Sequence, residues 1–435
     1  GDTMLGGQSN VGFDWSNITV SKADEWRSGA TGTKRVTLYA GNPLTIRNYD
    51  PVATRHVDGD FEYGLLTDVA NSGASVTANR IYFDVNKFQN GNVAPTTSGA
   101  GPLYGGTSTL GNTTHHNTVT LSRTWGGDIY GGYTQSTTGD SNYNTLVLNP
   151  NGYNNNRYMY GGWSNQGNAT HNTVVLNTGA PTLGGTQIYG GFSNNPSADV
   201  ITGNTLKVTS KSNSTQFNNF EKLEFELNSG IASGDTMLGG QSNVGFDWSN
   251  IKVTGLRAWA NALAAHNVNT PTLTLYSGAN LTLNNYAPTI VGTRGDYEFG
   301  KRANTAGTGT VSASVLSVDG NRFQNAGIGQ NVTTPGATPR DTYAGLSIYG
   351  NTTNHNELNL TGGSHTNARA GYTDALNGGS EDNTLNLLSG GSVTNGYAGY
   401  TEGVHLLVDP TSETNPTAVD TTKNADAKNN TVNIK

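Results

Sequence analysis

Asn117-Thr118-Val119-Thr120-Leu121 and Ile129-Tyr130-Gly131-Gly132-Tyr133-Thr134 are the two halves of the stretch on which the fold turns. In the first, Val119 and Leu121 share one face while Thr118 and Thr120 share the other, the alternation of a half-buried strand rich in β-branched residues. In the second, the same period of two puts Ile129, Gly131 and Tyr133 together. Both pieces recur. Tyr-Gly-Gly stands at Tyr104, Tyr130, Tyr160 and Tyr189, and Asn-Thr-apolar strands start at Asn117, Asn144, Asn172 and Asn204, a spacing of 26 to 32 residues. With Gly and Asn at corners that need positive φ, each beat predicts about one coil of a parallel β-solenoid. Val119, Leu146, Val174 and Leu206 then form one interior column, Tyr133, Trp163 and Phe192 a second, and the four asparagines a hydrogen-bonded ladder at a corner.

Working outward, the beat belongs to a larger repeat. Residues 1–18, GDTMLGGQSNVGFDWSNI, recur unchanged at 234–251. GDFEYG (59–64) answers GDYEFG (295–300), DVNKFQN (84–90) answers DGNRFQN (319–325), and GNTTHHNTVTL (111–121) answers GNTTNHNELNL (350–360). The chain therefore divides into a first super-repeat, 1–233, and a second, incomplete one, 234–435. The second copy keeps Tyr343-Ala344-Gly345 with Asn356 and Gly371-Tyr372-Thr373 with Asn383. It loses the pattern over 402–428, which reads as an extruded loop containing Pro410 and Pro416. Helix signals are confined to one short Ala-rich segment near 256–266. At about 4.8 Å and roughly 28 residues per coil, the sequence predicts an all-β solenoid of about fifteen coils, on the order of 70 Å long.

Composition agrees with stacking rather than with one large core. Only 33% of the 435 residues are hydrophobic and 13% charged, while Gly reaches 59, so each coil must bury a thin core against its neighbours. The net charge of -7 and the lack of a basic run disfavour nucleic acid as a partner. No apolar run approaches a membrane span, so insertion of this segment into a membrane is not expected. With zero Cys there is neither a disulfide framework nor a thiolate metal site.

The beats IYGGYT...NTLVL, MYGGWS...NTVVL and IYGGFS...NTLKV resemble the passenger regions of large adhesin-type autotransporters (type V secretion) of Gram-negative bacteria. The block FNNFEKLEFELNSGIASGDTMLGG (217–240) is similar to those that interrupt such arrays. The resemblance implies a right-handed parallel β-helix, export across two membranes, and an extracellular place on the bacterial cell surface. Sequence of the same kind is expected beyond both Gly1 and Lys435.

Candidate sites are few. Asp58, Asp60 and Glu62 alternate as on one strand face, echoed by Asp296 and Glu298, and two strand positions span about 6.6 Å, within the range of paired glycosidase carboxylates. No aromatic platform or basic cluster accompanies them, so a solvated acidic face or an incidental cation site is expected rather than catalysis. His116, His171 and His355 each precede a ladder asparagine. His116 and His171 are two coils or about 9.6 Å apart, too far to share a zinc ion. Arg294-Gly295-Asp296 is an integrin-type tripeptide, but the first copy has Asp58-Gly59-Asp60 in its place. The sequons at Asn17, Asn112, Asn168 and Asn351 follow from Asn and Thr content. No catalytic, cofactor-binding or metal residue is assigned, and no cofactor is expected.

The function expected is a non-enzymatic adhesin or stalk segment contacting a host-cell, bacterial or matrix glycan or protein receptor. The alternative is a self-associating extracellular filament or sheath subunit, with a polysaccharide-acting β-helix enzyme third.

Overall fold

A computed structural model of the chain describes residues 2–28, 33–69, 72–150, 157–177, 182–331, 340–374, 378–388, 391–402 and 427–434. The fold is an all-β parallel solenoid of about ten turns with two short helices. It falls into two compact units, one comprising residues 1–224 with 240–246 and the other 225–239 with 247–435.

In the first unit the coils stack as the asparagine beat requires. Strands Thr118–Leu121, Thr145–Leu148, Thr173–Leu176 and Thr205–Val208 pair in parallel, Val119 opposite Leu146, Leu146 opposite Val174 and Val174 opposite Leu206. All four of these residues are fully buried, while the Thr or Val and Lys between them are half-exposed. A second parallel sheet carries the Tyr-Gly-Gly strands Leu103–Ser108, Ile129–Thr134 and Tyr158–Ser164 in matched register. Like side chains thus stack on like, and the gain of burial is repeated at every coil.

Fifteen coils are not reached, because part of each unit is built differently. Residues 34–87 of the first unit form an antiparallel meander: Lys34–Tyr49 pairs with Gly73–Lys87, which pairs with Phe61–Thr67, which pairs with His56–Asp58. Thr272–Tyr286, Gly309–Arg322, Tyr297–Ala303 and Thr289–Arg294 repeat the arrangement in the second unit. Two-residue turns, Gly59-Asp60 and Gly295-Asp296, close the outer hairpins, with φ of 55° at Gly59 and 57° at Gly295. A glycine with positive φ in a tight hairpin turn matches the right-handed twist of its strands. Trp15 caps the core of the first meander, 2% exposed, its ring edge-on to Tyr49 at 4.8 Å. Trp248 meets Tyr286 in the same way at 4.8 Å in the second unit.

The one helix expected from the sequence is present as Leu256–Ala265, burying Leu256, Trp259, Ala260 and Leu263 at helical spacing. A second, Ala23–Ser28, has no buried residue and no sequence pattern that announces it. The loop expected at 402–428 lies, from 403 to 426, outside the described residues. Among the described residues no helix is long and apolar enough to cross a membrane.

Candidate functional site

The corner asparagines do form a ladder. Asn117 Nδ2 donates to Asn144 Oδ1 at 2.9 Å, Asn144 Nδ2 to Asn172 Oδ1 at 3.0 Å and Asn172 Nδ2 to Asn204 Oδ1 at 3.3 Å. Each backbone N–H of Asn117, Asn144 and Asn172 donates to the same oxygen of the next rung. In the second unit Asn356 donates to Asn383 at 2.8 Å and Asn383 to Asn430 at 3.1 Å. The asparagines of the first ladder are fully buried, so these bonds satisfy polar groups that water does not reach.

The ladder explains the Tyr-Gly-Gly motif. The Asn side chain fills the space beside the second glycine: a Cβ at Gly106 would lie 2.4 Å from Asn117 Nδ2, and one at Gly162 would lie 2.5 Å from Asn172 Nδ2. Across the glycine pair the alternation breaks. Ile129 and Thr134 are buried, whereas Tyr130 and Tyr133 are both half-exposed on the outer side. Tyr133, Trp163 and Phe192 are therefore not an interior column, because the two glycines reverse the pleat between them and the preceding strand residue. The interior column is Ile129, Met159 and Ile188, all fully buried.

Two aromatic columns consequently run along the outer side of the first unit. Ring centroids of Tyr104, Tyr130, Tyr160 and Tyr189 follow at 5.1, 5.0 and 5.2 Å, and Tyr133 stacks on Trp163 at 4.5 Å. Burial of the stacked rings pushes the phenol of Tyr133 up to about 12 and raises Tyr130 and Tyr160 further. In the second unit Arg369 enters the equivalent column between Tyr343 and Tyr397. Its guanidinium lies 4.7 Å from the ring centroid of Tyr372 and 4.6 Å from that of Tyr400.

The acidic residues do not share one strand face. Asp58 ends one strand, Asp60 is in the turn and Glu62 is on the returning strand. Asp58 pairs with Arg27. Asp60 accepts from Gln89 at 3.2 Å and Asn90 at 2.8 Å. Glu62 is fully buried and accepts five hydrogen bonds, from Ser108 Oγ (2.8 Å), Thr109 N (2.7 Å), Leu110 N (3.0 Å), Asn112 Nδ2 (2.7 Å) and Asn86 Nδ2 (2.9 Å). Glu298 repeats this with Ser347 Oγ (2.8 Å), Ile348 N (2.7 Å), Tyr349 N (3.2 Å), Asn351 Nδ2 (2.7 Å) and Asn321 Nδ2 (3.2 Å). Burial pushes the Glu298 carboxyl above the usual carboxylate range against the pull of these donors. Each carboxylate clamps the antiparallel meander to the first Tyr-x-Gly coil of its unit. Neither carboxylate reaches the solvent in this arrangement.

The sequence carried a signal for this clamp that alternation alone missed. Three of the motifs shared by the copies contribute one member each: Glu62 from GDFEYG, Asn86 from DVNKFQN and Asn112 from GNTTHHN. The sequon residues Asn112 and Asn351 are thus clamp donors. Asn168 Oδ1 accepts from Asp199 N at 2.9 Å, and Asn17 ends a short 3-10 turn.

His116 and His171 are exposed, with Tyr143 stacked between them at 5.6 and 4.9 Å. These three, together with His355 in the second unit, occupy the left-handed corner, φ 54°, 56°, 57° and 52°. Among the described residues no three His, Asp or Glu side chains converge as metal ligands. Arg294-Gly295-Asp296 forms the hairpin turn, and its Asp296 accepts from Gln324 at 3.1 Å and Asn325 at 2.9 Å and faces Arg322 at 3.5 Å. Its carboxylate is engaged within the fold.

Comparison with protein-family models, with curated proteins and with solved structures finds no match.

Proposed function

We propose that this chain is a non-enzymatic segment of a bacterial surface adhesin or stalk, of the autotransporter-passenger kind, displayed outside the cell. One observation carries this choice: Glu62 and Glu298, members of the best acidic constellation in the sequence, are consumed as internal clamps, while the half-exposed Tyr133 and Trp163 and the exposed His116, Tyr143 and His171 stack in repeating columns. A solenoid repeats one outer surface at every coil, which suits many weak contacts with an extended receptor better than a single catalytic centre. The Tyr-Gly-Gly and Asn-Thr beats add the likeness to passenger regions.

The full chain coupled to beads should retain host or bacterial cells, or matrix glycans, above a β-solenoid of unrelated sequence. Absence of retention in all three, together with release of reducing ends from a polysaccharide, would replace adhesion with hydrolysis.

A further inference from the structure

The same sequence occurs twice in this chain, and three of its apolar side chains are buried in the second place and exposed in the first. In the second occurrence Met237, Leu238 and Phe246 are fully buried. Their counterparts in the first, Met4, Leu5 and Phe13, are 73%, 63% and 41% exposed, and Val11 beside them is 60% exposed. Because residues 1–18 and 234–251 are identical, composition cannot account for the difference. Only the neighbours differ.

What lies against residues 241–246 of the second occurrence is visible. Phe217 N donates to Gln241 O at 2.9 Å, Phe217 pairs in parallel with Ser242, and the side chains of Asn219 and Asn243 bond at 2.8 Å. The Phe217 ring lies 6.3 Å from that of Phe246. Downstream, Phe220, Leu223, Phe225 and Leu227 continue the apolar alternation, each at most 1% exposed. At the first occurrence Thr3–Gly7 is exposed at every residue, whereas in its counterpart Thr236–Gly240 the residues Met237, Leu238 and Gly239 are buried. Thr3–Gly7 ends the strand order of its sheet, and an edge strand with open apolar residues is a template for another strand.

We infer that the face formed by Met4, Leu5, Val11 and Phe13 is a docking surface for a Phe-rich strand block with the chemistry of Phe217–Leu227, carried by a further repeat of this type. The block aligns in parallel along Gln8–Asn10, its first Phe meets Phe13, and the edge-on asparagine pair forms at Asn10. The fit does not depend on the chain's being an adhesin, since it follows from the duplicated sequence alone.

The three methionines report it. Mild peroxide converts an exposed methionine to its sulfoxide and spares a buried one. In the full chain Met4 should oxidise at least about tenfold faster than Met237 and Met159, both fully buried. A full chain carrying an added copy of residues 204–233 ahead of Gly1 should slow Met4 to the rate of Met237, with Met159 unchanged as the check that the solenoid is intact. The same extension with Ser in place of its Phe217, Phe220 and Leu223 counterparts should leave Met4 fast. Unchanged Met4 oxidation in the extended chain, or equal protection by the Ser-substituted extension, overturns the inference. So does a dimer in sedimentation whose dissociation restores Met4 oxidation, which would make a second copy the occupant.

Discussion

A Cβ at Gly132 would lie 2.4 Å from Asn144 Nδ2, so these two residues divide one volume between them. Neither choice is independent of the other. The glycine is absent from the positive-φ positions, and the reason for it is space rather than backbone conformation.

Gly132→Ala should therefore destabilise the chain by about 1–3 kcal/mol through overpacking. Asn144→Ala should cost about 2–4 kcal/mol by stranding buried donors and acceptors of its neighbours. The double variant should lose less than the sum, by about 1 kcal/mol or more, since the alanine methyl then enters vacated space. Denaturant midpoints of the four proteins complete the cycle, and strict additivity would refute the shared volume.

Glu62→Ala and Glu298→Ala should each cost about 3–5 kcal/mol, because a buried set of five donors loses its acceptor. Neither should alter adhesion measured on the fraction that remains folded. Hydrogen exchange should open the affected meander and the adjoining coil of that unit together, and protection unchanged in both would show that the clamp does not join them.

Val174→Asp should unfold the stack at far lower denaturant than Thr173→Asp, since Val174 is fully buried and Thr173 only half-buried. Equal midpoints would contradict the assignment of strand faces.

The pH dependence has two opposed parts above neutrality. Burial lowers the Lys301 ammonium to about 8. The unfolded chain, with its lysine near 10.4, then binds the extra proton between those values, so this group adds stability as pH rises through that window. The stacked tyrosines act in the other direction: their folded values lie above the unfolded value of about 10, so their contribution is complete below pH 10 and is lost as pH climbs beyond it. The melting temperature should pass through a maximum on the alkaline side. Lys301→Leu, which installs the residue found at Leu65 in the other copy, should flatten the rising limb and leave the falling one. A rising limb that persists in this variant would assign it to another group.

Much of the fold could be read from local periodicity, and the part that could not has a physical reason. Val119, Leu146, Val174 and Leu206 sit in one uninterrupted strand pleat each, so a period of two locates them. Tyr133 and Trp163 follow a glycine pair, where the pleat reverses and the same period points the wrong way. The meanders are hidden from periodicity although Asp58-Gly59-Asp60 is a hairpin-turn signal, because the repeat length fits one coil type throughout. Glu62 stands out in the sequence for its carboxylate, yet its donors are Asn86, residues 108–110 and Asn112, up to 50 residues away, and only the fold assembles them.

The asparagine rungs bear on how such a chain changes over generations. Asn144 bonds to counterparts one coil to either side, Asn117 and Asn172, which are chemically identical to each other. Slippage between neighbouring beats in the gene can delete or insert a coil, and the residues on both sides of the splice meet the partners they had before. The exposed corner preceding each rung, where His116, Tyr143 and His171 stand, is held at positive φ, which limits it to residues that tolerate the left-handed region.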